Sequence, residues 1–169
     1  AMLTRNTVIS LLPNCDVYVT DWKNARDVPF SAGKFDIEDF TKYLVDFFRD
    51  LSPDLNVMAV CQPAPLALAA AAITSERFPE FNPKSLTLIG GPIDPDANPT
   101  DVTDFGRRTS MEALESTVTM PVGLNYKGVG REVYPGAIQL ASFMAMNQDT
   151  HSKAFIDQIE KEAAGQASE

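Results

Sequence analysis

The chain has 169 residues, enough for one domain with a substantial core, and its 44% hydrophobic and 22% charged residues are ordinary for a globular protein. A formal net charge of −9, with 23 Asp and Glu against 14 Lys and Arg, argues against a nucleic-acid or anionic-membrane surface. No uninterrupted apolar stretch is long enough to span a bilayer, and the apolar run 64–73 sits too far along the chain to be a signal peptide. Ala1 ahead of Met2 reads as a cloning remnant.

In chain order, Leu3, Val8, Ile9, Leu11 and Leu12 give a helix-like apolar face that Pro13 and Asn14 stop. Asp16-Val17-Tyr18-Val19-Thr20 is β-branched and aromatic and predicts a buried strand. Residues 21–33 carry turn formers and predict a loop, in which Trp22 is a packing anchor. Asp36 predicts an N-cap, with Asp39 at the third helical position and Glu38 beside the positive helix end. Ile37, Phe40, Leu44, Phe47, Phe48 and Leu51 then recur at helical spacing and predict one apolar stripe, ended by Ser52-Pro53-Asp54.

The stretch Val57-Met58-Ala59-Val60-Cys61-Gln62-Pro63-Ala64-Pro65 carries the strongest chemical signal. A short apolar strand ends at one cysteine, and a helix from about Ala64 to Arg77 begins just after it. That is the context of a nucleophile elbow, in which a sharp turn pushes a reactive side chain out above a sheet. Small Ala59 and Pro63 flank the cysteine at the places where Gly is usual in the serine version. Pro63 and Pro65 fall at a helix start, where missing amide hydrogens cost little, and the alanines 69–72 suit close packing on a sheet. A buried, inert core cysteine is the competing reading of the same residues.

Leu86-Thr87-Leu88-Ile89 predicts a further strand, closed by Gly90-Gly91-Pro92. Strands alternating with helices predict a parallel sheet, whose ligands bind beyond the carboxyl ends of the strands. Cys61 falls at that edge, and Cys15 at the opposite one with a structural role. On adjacent parallel strands the two sulfurs would lie about one strand length apart, too far for a disulfide, so two free thiols are expected. Free thiols fit a cytoplasmic protein.

Residues 92–99 are a linker rich in Pro and Asp. Asp94, Asp96, Asp101 and Asp104 lack the Gly and closing Glu of a calcium loop, and turn or cap roles are expected for them. Residues 101–169 predict helical segments and no strand pair: an apolar helix from Gly136 to Met146, with Phe143, Met144 and Met146 as packing residues, and another capped near Asp149-Thr150. The tail 165–169 is polar. No internal repeat and no phosphate-cradling loop is present in the sequence.

Chemically, a cysteine at a helix N-terminus gains thiolate character, and in an elbow the amide of the following residue, Gln62, faces the developing oxyanion. A neutral ester would suit this half-site, and a general base is still required. The sole histidine, His151, falls in a helical region with no strand end to present it, and is read as exposed or capping. One His and two separated Cys make no metal-ligand set, so neither a metal nor a cofactor is expected.

The segments DVYVTDWKNARDVP (16–29), VCQPAP (60–65) and GGPID (90–94) resemble intracellular polyhydroxyalkanoate depolymerases, α/β-hydrolase proteins that cleave bacterial storage polyester. The resemblance implies an α/β fold: a partial hydrolase core of about three parallel strands with flanking helices over residues 1–95, and a mainly helical cap or lid over 96–169. It implies Cys61 as nucleophile in its CQP context, with Gln62 N–H on the oxyanion, and poly(3-hydroxybutyrate) or its oligomers as substrate, at a cytoplasmic or granule-associated location. His151 matches the cap region and does not inherit the base role. By that resemblance the chain is a middle portion without the catalytic Asp and His, and inactive alone. A slice of a larger sheet leaves edges unpaired, so a homo-oligomer, a dimer through the exposed sheet edge or apolar faces, is expected. The alternatives are a polyhydroxyalkanoate synthase-like acyltransferase, which would favour Gly near the cysteine, and a non-catalytic remnant that binds granules or a partner chain.

Overall fold

The computed structural model describes residues 5–146. Helix α1 spans Arg5–Leu11, α2 Ile37–Leu51, strand β1 Asn56–Val60, α3 Ala64–Arg77, β2 Ser85–Ile89, α4 Asp101–Arg108, α5 Met111–Val118, β3 Met120–Pro121, β4 Glu132–Val133 and α6 Gly136–Met146. The chain divides into two compact units, one built from Ala1–Ala32 with Pro121–Val133 and the other from Gly33–Met120 with Tyr134–Glu169.

In the second unit α2 starts where its cap chemistry dictates. Asp36 Oδ1 accepts the amides of Glu38 and Asp39, and the Asp39 carboxylate accepts the Asp36 amide in return. This closed capping box satisfies donors that the first helical turn leaves without partners. At the other end the Ser52 hydroxyl bonds back to Phe48 O and across to Phe81 O.

The buried face of α2 is centred on Thr41, Val45 and Phe48 rather than on the whole expected stripe. Ile37 remains 69% exposed. Val45 and Phe48 pack against Ala70 of α3, with Leu44, Leu55, Val57, Ala71, Ile73 and Phe78 around them. The apolar arc of α2 is wider than this contact, so its flank forms a separate aromatic group of Phe35, Phe40, Tyr43 and Phe47 with centroid spacings of 6.0–6.2 Å.

Strands β1 and β2 pair in parallel, from Asn56 opposite Ser85 to Val60 opposite Ile89. Alternation sends Val57, Ala59, Leu86 and Leu88 towards the helices. Met58, Val60 and Ile89 on the other face stay 41–46% exposed. Helix α3 approaches the sheet through small residues, as its composition predicts, but the buried row is Ala64, Ala67, Ala70 and Thr74 rather than the run 69–72. Thr74 is fully buried, and its hydroxyl donates to Ala70 O at 2.8 Å, so burial leaves it satisfied.

Two expectations fail. Residues 16–20 form no strand, so the described parallel sheet has two strands rather than about three. Tyr18 and Val19 are 71% and 59% exposed. Strand propensity expresses fit to a pleated, half-buried surface, and without a ladder partner it does not produce a strand. The second failure is the pair β3–β4, which lies in a region read as lacking strands. With two residues in each strand it is too short to carry a periodic signal, and it is extended by the Val122 amide bonding Arg131 O at 2.9 Å. The fold is therefore mixed helix and sheet, compatible with the α/β class.

The first unit is held by backbone-directed contacts. The Arg131 guanidinium donates to Val28 O at 2.8 Å and Pro29 O at 2.6 Å, tying down the short turns Ala25–Asp27 and Phe30–Ala32. Gly128 lies against the chain at 25–26, where its amide bonds Arg26 O at 2.7 Å and a Cβ would sit 2.7 Å from the same oxygen. Only glycine permits so close an approach.

Candidate functional site

The parallel ladder continues one residue past β1, with the Cys61 amide donating to Ile89 O at 2.7 Å. The chain then reverses. Cys61 has φ +66°, the only positive value at a non-glycine position among the described residues. A side chain in this left-handed region costs on the order of 1–3 kcal/mol and persists only where its surroundings over-determine it. Here the Ala64 amide bonds Cys61 O at 3.0 Å, the Ala67 amide bonds Pro63 O at 2.9 Å, and Ala64 and Ala67 are buried beneath the turn. The anchored α3 and the ladder bond together offset the local strain.

Cys61 is exposed and not a packed core thiol. Its sulfur and the Gln62 amide have no hydrogen-bond partner among the described residues. With proline at 63 and 65, the first turn of α3 carries few amide hydrogens, and the Ala64 amide is already engaged. Among the described residues the Gln62 N–H is thus an unengaged donor on the residue that follows the exposed Cys61.

Cys15 lies apart in sequence and in kind. It follows α1, is exposed, and its thiol donates to Leu11 O at 3.4 Å. Both cysteines are free. His151 lies outside the described residues, as does the second expected helix of the C-terminal stretch.

The acidic linker behaves as local chemistry. Asp94 Oδ1 accepts the amides of Asp96 and Ala97 at 2.9 and 3.2 Å. Arg107 of α4 reaches back to Pro95 O at 3.1 Å and to the carboxylates of Asp96 and Asp104. Among the described residues no group of three or more His, Cys, Asp or Glu is placed to hold a metal ion. No helix among them is long and apolar enough to cross a membrane.

Sequence reasoning reached the elbow but missed Gly91. The Gly90-Gly91 pair reads as a strand terminator, yet Gly91 packs against the elbow itself: a Cβ there would overlap the Ala64 Cβ and lie 2.9 Å from Cys61 O. The only signal in the sequence is a second glycine where one would end the strand.

Residues 90–169 match a family model described as the PHB de-polymerase C-terminus. No curated protein and no solved structure matches the chain.

Proposed function

We propose that the chain is a member of the PHB depolymerase family, on the match of residues 90–169 to its C-terminus model, and that it takes part in cleaving ester bonds of poly(3-hydroxybutyrate), with Cys61 as the nucleophile. The observation that carries this reading is the left-handed backbone of Cys61 at the strand-to-helix junction, which leaves the thiol exposed. Strain of this kind clusters at functional sites because it pre-organises a reactive group.

In the proposed chemistry the Cys61 thiolate attacks the ester carbonyl carbon and forms a C–S bond. The carbonyl oxygen becomes an oxyanion facing the Gln62 N–H, worth on the order of 3 kcal/mol for one such donor. Collapse breaks the ester C–O bond, and the alcohol end leaves with a proton. Water then hydrolyses the thioester, returning the thiol and releasing a carboxylic acid. Proton transfer needs a base and an acid, and no Asp or His bonds to Cys61 among the described residues. Acylation of Cys61 is the step that the described residues support.

Incubation with hydroxybutyrate oligomers or an activated aryl butyrate, followed by peptide mass spectrometry, tests this. An acyl adduct on the Cys61 peptide, absent in Cys61→Ala, is the expected result. Wild-type protein that never gains the adduct would end the nucleophile reading.

The apolar sheet face of Met58, Val60 and Ile89, and the outer edges of β1 and β2, which have no partner strand among the described residues, support self-association as a dimer. A stable monomer by sedimentation at micromolar concentration would remove that part of the proposal.

A further inference from the structure

We infer that Gly91 is a positioning residue for the Cys61 thiol, acting through the backbone of the elbow. The inference rests on the reading of Cys61 as nucleophile and names what holds it in place.

Ile89 O accepts the Cys61 amide, so the two strand ends are locked at 2.7 Å. Gly90 then turns the chain with φ +60°, and a Cβ on Gly90 would meet nothing within 4 Å. Gly91, one residue on, has no such room. A Cβ there would overlap the Ala64 Cβ, sit 2.9 Å from Cys61 O and 3.5 Å from Ala64 Cα. Each of these is a backbone atom or the first atom of a side chain, so none can swing away by changing a rotamer. Ala64 is also fully buried at the start of α3, which prevents the helix from yielding on its far side.

The oxygen that Gly91 crowds is the one that accepts the Ala64 amide at 3.0 Å. Pushing it aside breaks the bond that closes the turn. Cys61 is then freer to relax towards an ordinary negative φ, because that bond is one of the contacts that hold the left-handed conformation. The thiol would leave the position that the left-handed backbone gives it. The two consecutive glycines thus have different tasks: Gly90 supplies a backbone conformation, and Gly91 supplies empty space for the elbow.

The test compares wild type, Gly91→Ala and the double variant Gly91→Ala/Ala64→Gly, the last removing the Cβ with which the new methyl collides. Acyl transfer from an activated aryl butyrate and alkylation by iodoacetamide across pH are followed at each cysteine by mass spectrometry. Cys15, exposed and outside the elbow, serves as the internal reference. We expect Gly91→Ala to slow acylation of Cys61 by about tenfold or more, to change the pH profile of Cys61 alkylation, and to leave Cys15 unchanged. Ala64→Gly in the same chain restores most of the loss. An unchanged Cys61 rate in Gly91→Ala overturns the inference. So does a loss that Ala64→Gly fails to recover, or one that Cys15 shares, since either marks general damage to the fold. If wild-type Cys61 accepts no acyl group, the nucleophile reading fails, while the Cys61 alkylation profiles still decide whether Gly91 sets the thiol.

Discussion

The segment 16–20 and strand β1 are similar in composition, both rich in β-branched and apolar residues, and the chain treats them oppositely. Strand β1 pairs with β2 over its whole length and sends Val57 and Ala59 towards α2 and α3. Segment 16–20 has no ladder partner among the described residues, and Tyr18 and Val19 are exposed. The difference is in their neighbours. A strand is stabilised by cross-strand pairs and by a helix that covers one face, and both come from elsewhere in the chain. For β1 that help is close in sequence, because α2 precedes it and α3 and β2 follow it. The elbow rests on the same packing, through buried Ala64 and Ala67.

The largest effect should appear where the packing is densest. Phe48 is 4% exposed and belongs to the cluster in which α2, α3 and one face of β1 pack together. Phe48→Ala should cost about 3 kcal/mol or more, from lost burial plus the cavity left behind, measured by urea unfolding. The matching change in the other region, Tyr18→Ala, should cost less than about 0.5 kcal/mol, as exposed substitutions generally do. A loss at Tyr18 comparable to that at Phe48 would break the comparison, because it would mean that 16–20 finds a partner in solution.

The same contrast explains how much could be read from the sequence. The capping box at Asp36, the proline start of α3 and the strand-turn-helix at Cys61 are local, encoded by residues within a few positions of one another. The helices α1 and α6 were legible for the same reason. The pairing state of 16–20 was not, because no local pattern says whether a strand former will meet another strand. The buried face of α2 was legible only in part: Ile37, Phe40 and Phe47 satisfy the helical period as well as Val45 does, and the position of α3 decides which are covered. At the elbow, Cys61 and Gln62 could be named from their turn. The role of Gly91 depends on a contact with Ala64 across the parallel pair, and nothing in a single sequence records that contact.

The smallest effect concerns the start of α2, and it probes whether the local half of the comparison is as independent as it looks. The Lys34 ammonium, 3.1 Å away, and then the Asp39 amide hold the Asp36 carboxyl below its ordinary value of 3.8. Lys34 is raised in turn, chiefly by its hydrogen bond to Asp36. For Asp36 a depressed folded value means that the folded state binds the proton less readily than the unfolded one. Its contribution is complete above the ordinary value of 3.8 and is lost as pH falls through the lower folded value. For Lys34 the sense reverses: the contribution is present below the ordinary lysine value and disappears as pH rises through the folded one. Both groups are well exposed, so salt will weaken the pair. Asp36→Asn separates cap from charge, since Asn caps about as well as Asp but does not titrate. The variant should keep the helix start near neutral pH and lose part of the fall in thermal midpoint below about pH 4. If both proteins lose stability in parallel along that acid limb, the cap contributes through its hydrogen bonds alone and the ion pair adds nothing to the start of α2.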